Sequence, residues 1–143
     1  MLRFSLPLLL AATPAFALDV LEEARAEARA QEGGFVLSCE LVRSCHDTIC
    51  TDTSQQAEII MIVETTAYDE YPRASGLWIG PDGALDFTAV VSPSKEAIAW
   101  MAGEGNAMRM ISFAATGGAL AVSRLGVEPV SATMSVGTCE VVE

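Results

Sequence analysis

FVLSCELVR, residues 35–43, alternates: Phe35, Leu37, Cys39 and Leu41 fall on one face, while Ser38, Glu40 and Arg43 lie mostly elsewhere. A period of two over this length marks a half-buried β-strand. The signal recurs down the chain. EIIMIVET (58–65) is a continuous apolar run rich in β-branched residues, as a well-buried strand requires. SGLWIG (75–80) leads into Pro81-Asp82-Gly83, a strong turn signal, and ALDFTAVV (84–91) then puts Leu85, Phe87, Ala89 and Val91 on one face. Ser92-Pro93-Ser94 punctuates before EAIAWMA (96–102), and GEGN (103–106) before AMRMISFAAT (107–116). Gly117-Gly118 suits a hairpin turn into ALAVSRL (119–125). GVEPV (126–130) breaks the pattern, and SATMSVGTCEVV (131–142) closes it.

Eight short strands at spacings of about ten residues, mostly joined by tight turns, predict a mainly β antiparallel meander. Eight strands can close into a small barrel that removes exposed edges; a two-sheet sandwich is the alternative. No internal repeat or second domain is visible.

The start of the chain reads differently. In MLRFSLPLLLAATPAFA one positive residue, Arg3, precedes an apolar run, and Ala15-Phe16-Ala17 supplies a small-x-small cleavage pattern. Residues 1–17 are therefore expected to be a cleaved signal peptide. The run is too short to span ~30 Å of hydrocarbon and is broken by Pro7 and Pro14, so no membrane span is expected in the mature form. LDVLEEARAEARAQE (18–32) is rich in Ala, Glu and Arg, strong helix formers, with Leu18, Leu21 and Ala24 as a thin apolar face. A short N-terminal helix is expected over 18–33, ended by Gly33-Gly34, with the β domain over 34–143.

The chain carries 8 basic and 19 acidic residues, a net charge of −11. Loss of Arg3 leaves 7 basic residues against 19 acidic. So acidic a protein repels nucleic acid and anionic membrane surfaces. Lys95 is the one lysine, which removes most lysine chemistry.

Four cysteines, at 39, 45, 50 and 139, are an even number in a chain expected to be exported, periplasmic or secreted. Three pairings are open. Closing the meander brings the first and last strands together, so Cys39–Cys139 is the expected seam, with Cys45–Cys50 stapling a surface loop. RSCHDTIC (43–50) also holds the single histidine. Covalent haem attachment needs C-x-x-C-H, and Val42 stands where the first cysteine should be. Four residues separate Cys45 from Cys50, against two in a thioredoxin-like pair. Adjacent Cys45 and His46 are badly placed to share a zinc ion, and their adjacency is not the geometry of a catalytic thiol and its base. No metal, no cofactor and no catalytic residue is expected here, and His46 is expected to be exposed.

Other constellations are weaker. Ser92-Pro93-Ser94-Lys95 matches S-x-x-K, but in a turn between strands rather than at a helix start. Met61, Met101, Met108, Met110 and Met134 could bind soft Cu(I), yet without an M-x-x-M repeat they read as core filler. Asp69-Glu70 and Asp82…Asp86 lack the register of a calcium site. Trp78, Trp100, Phe87 and Phe113 fall in predicted strands, either as core or as the lining of an apolar ligand pocket at an open barrel end.

A leader, a first strand with V-L-S-C-E, a C-x4-C and a terminal G-T-C-E resemble the layout of small uncharacterised periplasmic proteins of Gram-negative bacteria. More loosely, the chain resembles membrane-bound inhibitors of c-type lysozyme. That resemblance implies an exported eight-stranded barrel with a disulfide from an early strand to the C-terminal end. The first inhibitory motif of that family, Ser-Gly followed by an aromatic, is echoed by Ser75-Gly76-Leu77-Trp78. The second carries a lysine beside a glycine after a tryptophan, and Trp100-Met101-Ala102-Gly103 lacks the lysine.

The expected function is therefore a non-enzymatic binding or interaction protein. Ser75, Trp78, Phe87 and Trp100 are its candidate binding residues, and a basic periplasmic protein or a small apolar ligand its candidate partner. The alternative is an inhibitor of a periplasmic or extracellular hydrolase such as lysozyme, whose basic surface would suit the acidic charge.

Overall fold

A computed structural model describes residues 15–64, 72–81, 83–102, 107–127 and 130–142. One helix, α1 (Ala15–Ala30), precedes eight strands. They are β1 (Phe35–His46), β2 (Ile49–Glu64), β3 (Arg73–Gly80), β4 (Gly83–Val91), β5 (Glu96–Ala102), β6 (Met108–Ala114), β7 (Gly118–Val127) and β8 (Val130–Val141). Each strand pairs antiparallel with its sequence neighbours, and β8 pairs with β1 to close a barrel. The barrel reading holds over the sandwich. Residues 1–14, the turn at 103–106, Asp82 and Asp69-Glu70 lie outside the described residues. The helix runs across the expected Ala17–Leu18 cleavage position.

Alternation decides which side chains fill the barrel. Leu37, Cys39 and Leu41 of β1, Ala57, Ile59 and Met61 of β2, Trp78 of β3, and Phe87, Ala89 and Val91 of β4 are all buried in one cluster. Ala97, Ala99, Met101, Ile111, Phe113, Leu120 and Cys139 complete it from the other side. Phe113 lies at the centre of an aromatic relay, edge-on to Phe35 at 6.4 Å and to Phe87 at 6.3 Å between ring centroids. Such edge-to-face pairs add about 0.5–1.5 kcal/mol beyond area burial.

EIIMIVET is apolar on both faces because both are covered. Ile59 and Met61 point into the barrel. Ile60 is buried outside it, with Val36 and Ala28 of the helix, and Ile62, Leu77 and Ile79 pack at the margin. The helix docks through Ala24 and Ala28, while Leu18, expected on its apolar face, is exposed. Gly33, with a φ of 84°, turns the chain after the helix. Arg25 anchors the contact from helix to barrel. Its Nε and one Nη each donate to a different carboxylate oxygen of Glu58 at 2.6 Å, and its other Nη donates to Glu22 at 2.7 Å. The Glu58 hydrogen bonds raise the arginine's proton affinity further above its ordinary value, partly offset by burial. Replacing Arg25 with leucine should cost about 1–2 kcal/mol. Amide exchange should then quicken across the helix but not across the strands. Equal quickening in both would mean that the helix is integral to the barrel.

RSCHDTIC is not the stapled surface loop expected from sequence. β1 continues through His46 and β2 begins at Ile49, so only Asp47 and Thr48 form the turn. β2 thus starts nine residues before the apolar run that signalled it. The polar stretch ICTDTSQQ carries no apolar alternation, but its backbone completes the ladder with β1. Cys45 and Cys50 are directly opposed in that ladder, and the disulfide joins them across it. Asp47 takes the left-handed conformation, φ 53°, that Asp tolerates better than most residues. Its amide donates to the Ala132 carbonyl at 2.8 Å, and its carboxylate accepts from the Ala132 amide at 3.2 Å. The hairpin tip is thereby fastened to β8. The second disulfide joins Cys39 and Cys139, also directly opposed, at the β1–β8 seam. Two disulfides fit an oxidising, exported setting.

Candidate binding site at the barrel mouth

The residues singled out from sequence do not converge. Trp78 and Phe87 point inward and are buried, with 3% and 4% of their surface exposed. Ser75 and Trp100 face outward, and Trp100 keeps 46% exposure. Ser75 and Trp78, three positions apart on one strand, occupy opposite faces of the wall. His46 is exposed and hydrogen-bonds Asp47 through Nδ1 at 3.1 Å. Ser92 caps the tight turn between β4 and β5, its hydroxyl accepting from the Glu96 amide at 3.1 Å and pairing with Ser94. Of the methionines after Met1, Met61 and Met101 are core, but Met108, Met110 and Met134 are exposed. Their strands alternate in the opposite phase, so the core-filler reading fails for those three.

What does converge is a polar recess at one end of the barrel. β3 pairs with β2 only from Glu58 onward, and β4 meets β5 only at Thr88–Val91. The remaining strands rise beyond this level as a curved wall. On its inner side lie Ser44, Gln55, Arg109, Val122, Arg124, Thr133 and Ser135, over a floor that includes Leu41 and Trp78. The recess holds about 230 Å³.

Strand register builds it. Arg109 of β6 is directly opposite Arg124 of β7, which is opposite Thr133 of β8. One step inward, Val122 faces Ser135, and Ser135 faces Ser44. The Ser135 hydroxyl donates to the Ser44 hydroxyl at 3.0 Å, and the pair is partly buried. Two guanidinium groups thus share one concave wall with hydroxyls on the neighbouring strands. Among the described residues none forms an ion pair with Arg124. Guanidinium groups donate in a planar fork that matches carboxylate or phosphate oxygens. Like charges at opposed strand positions repel, and a shared anion reverses the sign of that interaction.

No protein-family model, curated protein or solved structure matches the chain.

Larger open grooves flank the helix, at about 500 Å³, and the outside of β5 and β6, at about 590 Å³. The first is lined by Arg25, held by Glu22 and Glu58, and by Arg29 and Ser38. The mouth sets Arg109 and Arg124 beside the Ser44–Ser135 hydroxyl pair and Thr133.

Sequence reasoning missed Arg109 and Arg124, although a signal was present. In RMISF, Arg109 is in phase with Ile111 and Phe113; in LAVSR, Arg124 is in phase with Leu120 and Val122. A charge on the core phase near a strand end places that charge at the rim of the interior. Ser44 had no comparable signal, since the register shift between Leu41 and Arg43 changes the phase of β1; Gln55 keeps the core phase of Ala57 and Ile59 but lies in a polar stretch.

Proposed function

We propose that this is an exported, non-enzymatic binding protein, periplasmic or secreted, that captures an anionic group of its ligand in the barrel mouth. The observation that supports it is the shared wall of Arg109 and Arg124 beside the Ser44–Ser135 hydroxyl pair and Thr133. A volume of about 230 Å³ is below the ~300–1,000 Å³ of sites that engulf a drug-sized molecule. The recess therefore suits one carboxylate or phosphate end, with the rest of the ligand outside. The apolar interior beneath it is filled by side chains, with Trp78 and Leu41 closing the bottom. In a chain of net charge −11, two of the eight basic residues stand on this one wall.

Trp78 reports on this site. In a Trp100→Phe background it is the single tryptophan, so its fluorescence isolates the floor of the mouth. Titration with inorganic phosphate, against chloride at matched ionic strength, should give a saturable change. Arg124→Gln should weaken the apparent affinity at least tenfold. A response that does not saturate, or one that Arg124→Gln leaves intact, would remove the mouth as the binding site.

A further inference from the structure

The outside of the barrel is apolar in two places, and among the described residues only one of them is covered by the chain itself. Val36 and Ile60 on β1 and β2 lie beneath α1. On the far side, the outward residues of β5 to β8 include Ile98, Trp100, Met108, Met110, Leu125 and Met134, each keeping between 46% and 62% of its surface exposed. Register makes them contiguous. Trp100 is opposite Met110, Met110 opposite Ser123, and Ser123 opposite Met134, a row across four strands. The next row runs from Met108 to Leu125 to Ala132.

Charge divides the same way. The helix and the outer faces of β1 to β4 carry Asp19, Glu22, Glu23, Glu27, Glu58 and Asp86. The outward positions of β5 from Ile98 on, of β6, of β7 and of β8 up to Thr138 carry no charged residue. Solubility alone would spread 19 acids over the whole surface. Among the described residues, the acids nearest this face, Glu96 and Glu140, stand at its edge.

We infer that two copies of this chain meet through the outer face of β5 to β8, in an isologous dimer independent of the mouth. Three features choose a second copy as the occupant. A chain of net charge −11 repels itself unless its acids are kept apart, and a two-fold contact through the uncharged face sends both acidic halves outward. An uncharged face is complementary to itself, whereas a basic partner would be drawn to the acidic half. Finally, six large apolar residues, each about half exposed and contiguous across four strands, make the kind of patch that single chains rarely leave uncovered. Three methionines adapt readily to one another across such a contact, and Trp100 provides an aromatic anchor of the kind that dominates interfaces.

Sedimentation velocity of the exported chain, disulfides intact, over a hundredfold range of concentration tests this. The wild type should pass from one chain mass to two. Met110→Glu and Met134→Lys, both at exposed positions, should each weaken association at least tenfold without changing the circular dichroism. Ser75→Glu, on the outer face of β3, should leave it unchanged. A wild type that stays at one chain mass throughout overturns the proposal, as does a dimer that survives both substitutions. Co-sedimentation of single chains with neutral phosphatidylcholine vesicles, lost in Met110→Glu, would overturn it in favour of a lipid surface.

Discussion

Replacing Cys39 and Cys139 together with alanine should lower stability by about 4 kcal/mol and the melting temperature by more than about 10 °C. The bridge closes a sequence separation of 100 residues at the β1–β8 seam. In the chain-entropy account a loop of that size restricts the unfolded ensemble by about 4 to 5 kcal/mol. Both sulfurs also lie in the core, with 1% and 4% exposure, so alanine leaves unfilled volume. The Cys45–Cys50 bridge gives the internal contrast. Its separation is 5, and the Asp47 turn and the ladder already hold its strands together. Removing it should cost at most about 2 kcal/mol. Thermal unfolding of the two double variants side by side is the measurement. Equal shifts would show that the seam bridge adds nothing that strand pairing does not already supply.

Gly76→Ala carries the second large effect, and its sign is diagnostic. In an ordinary strand interior, Gly→Ala gains roughly 0.5–1 kcal/mol. Gly76 faces inward between Ala74 and Trp78, paired with Met61 on one side and Phe87 on the other. The Phe87 ring lies over it: an added methyl would overlap the Ile60 carbonyl oxygen and come 2.6 Å from the ring. Backbone has to move, so the substitution should destabilise by about 3 kcal/mol. Phe87→Leu in the same chain should recover part of that loss, because it removes the ring but not the carbonyl. Chemical denaturation of the single and double variants measures the coupling. Stabilisation by Gly76→Ala would contradict the packing described for β3 and β4.

Much of this architecture was legible from residue order. Strict alternation in FVLSCELVR and ALDFTAVV assigns inner residues that the barrel confirms, because one face of each strand packs against the core. Both disulfides followed from closure, since the first and last strands of a meander must meet. The extension of β2 back to Ile49 was hidden because backbone pairing with β1, not side-chain burial, makes those residues a strand. The mouth was hidden for a related reason. Aromatic residues drew attention as candidate ligand contacts, yet Trp78 and Phe87 are spent on the core and Trp100 on the outside. Arg109 and Arg124 become a site only when register sets them side by side.

The seam bridge has a consequence for a protein outside the cell's protective interior. Cys39 and Cys139 turn most of the chain into a covalent ring. A protease that cuts once in any turn within that ring produces no second fragment. Nor does the cut open a sheet edge, since every strand of the closed barrel remains paired on both sides. A nicked molecule would keep its mass under non-reducing conditions, its mouth and its outer face, and would come apart only after a second cut or the arrival of a reductant.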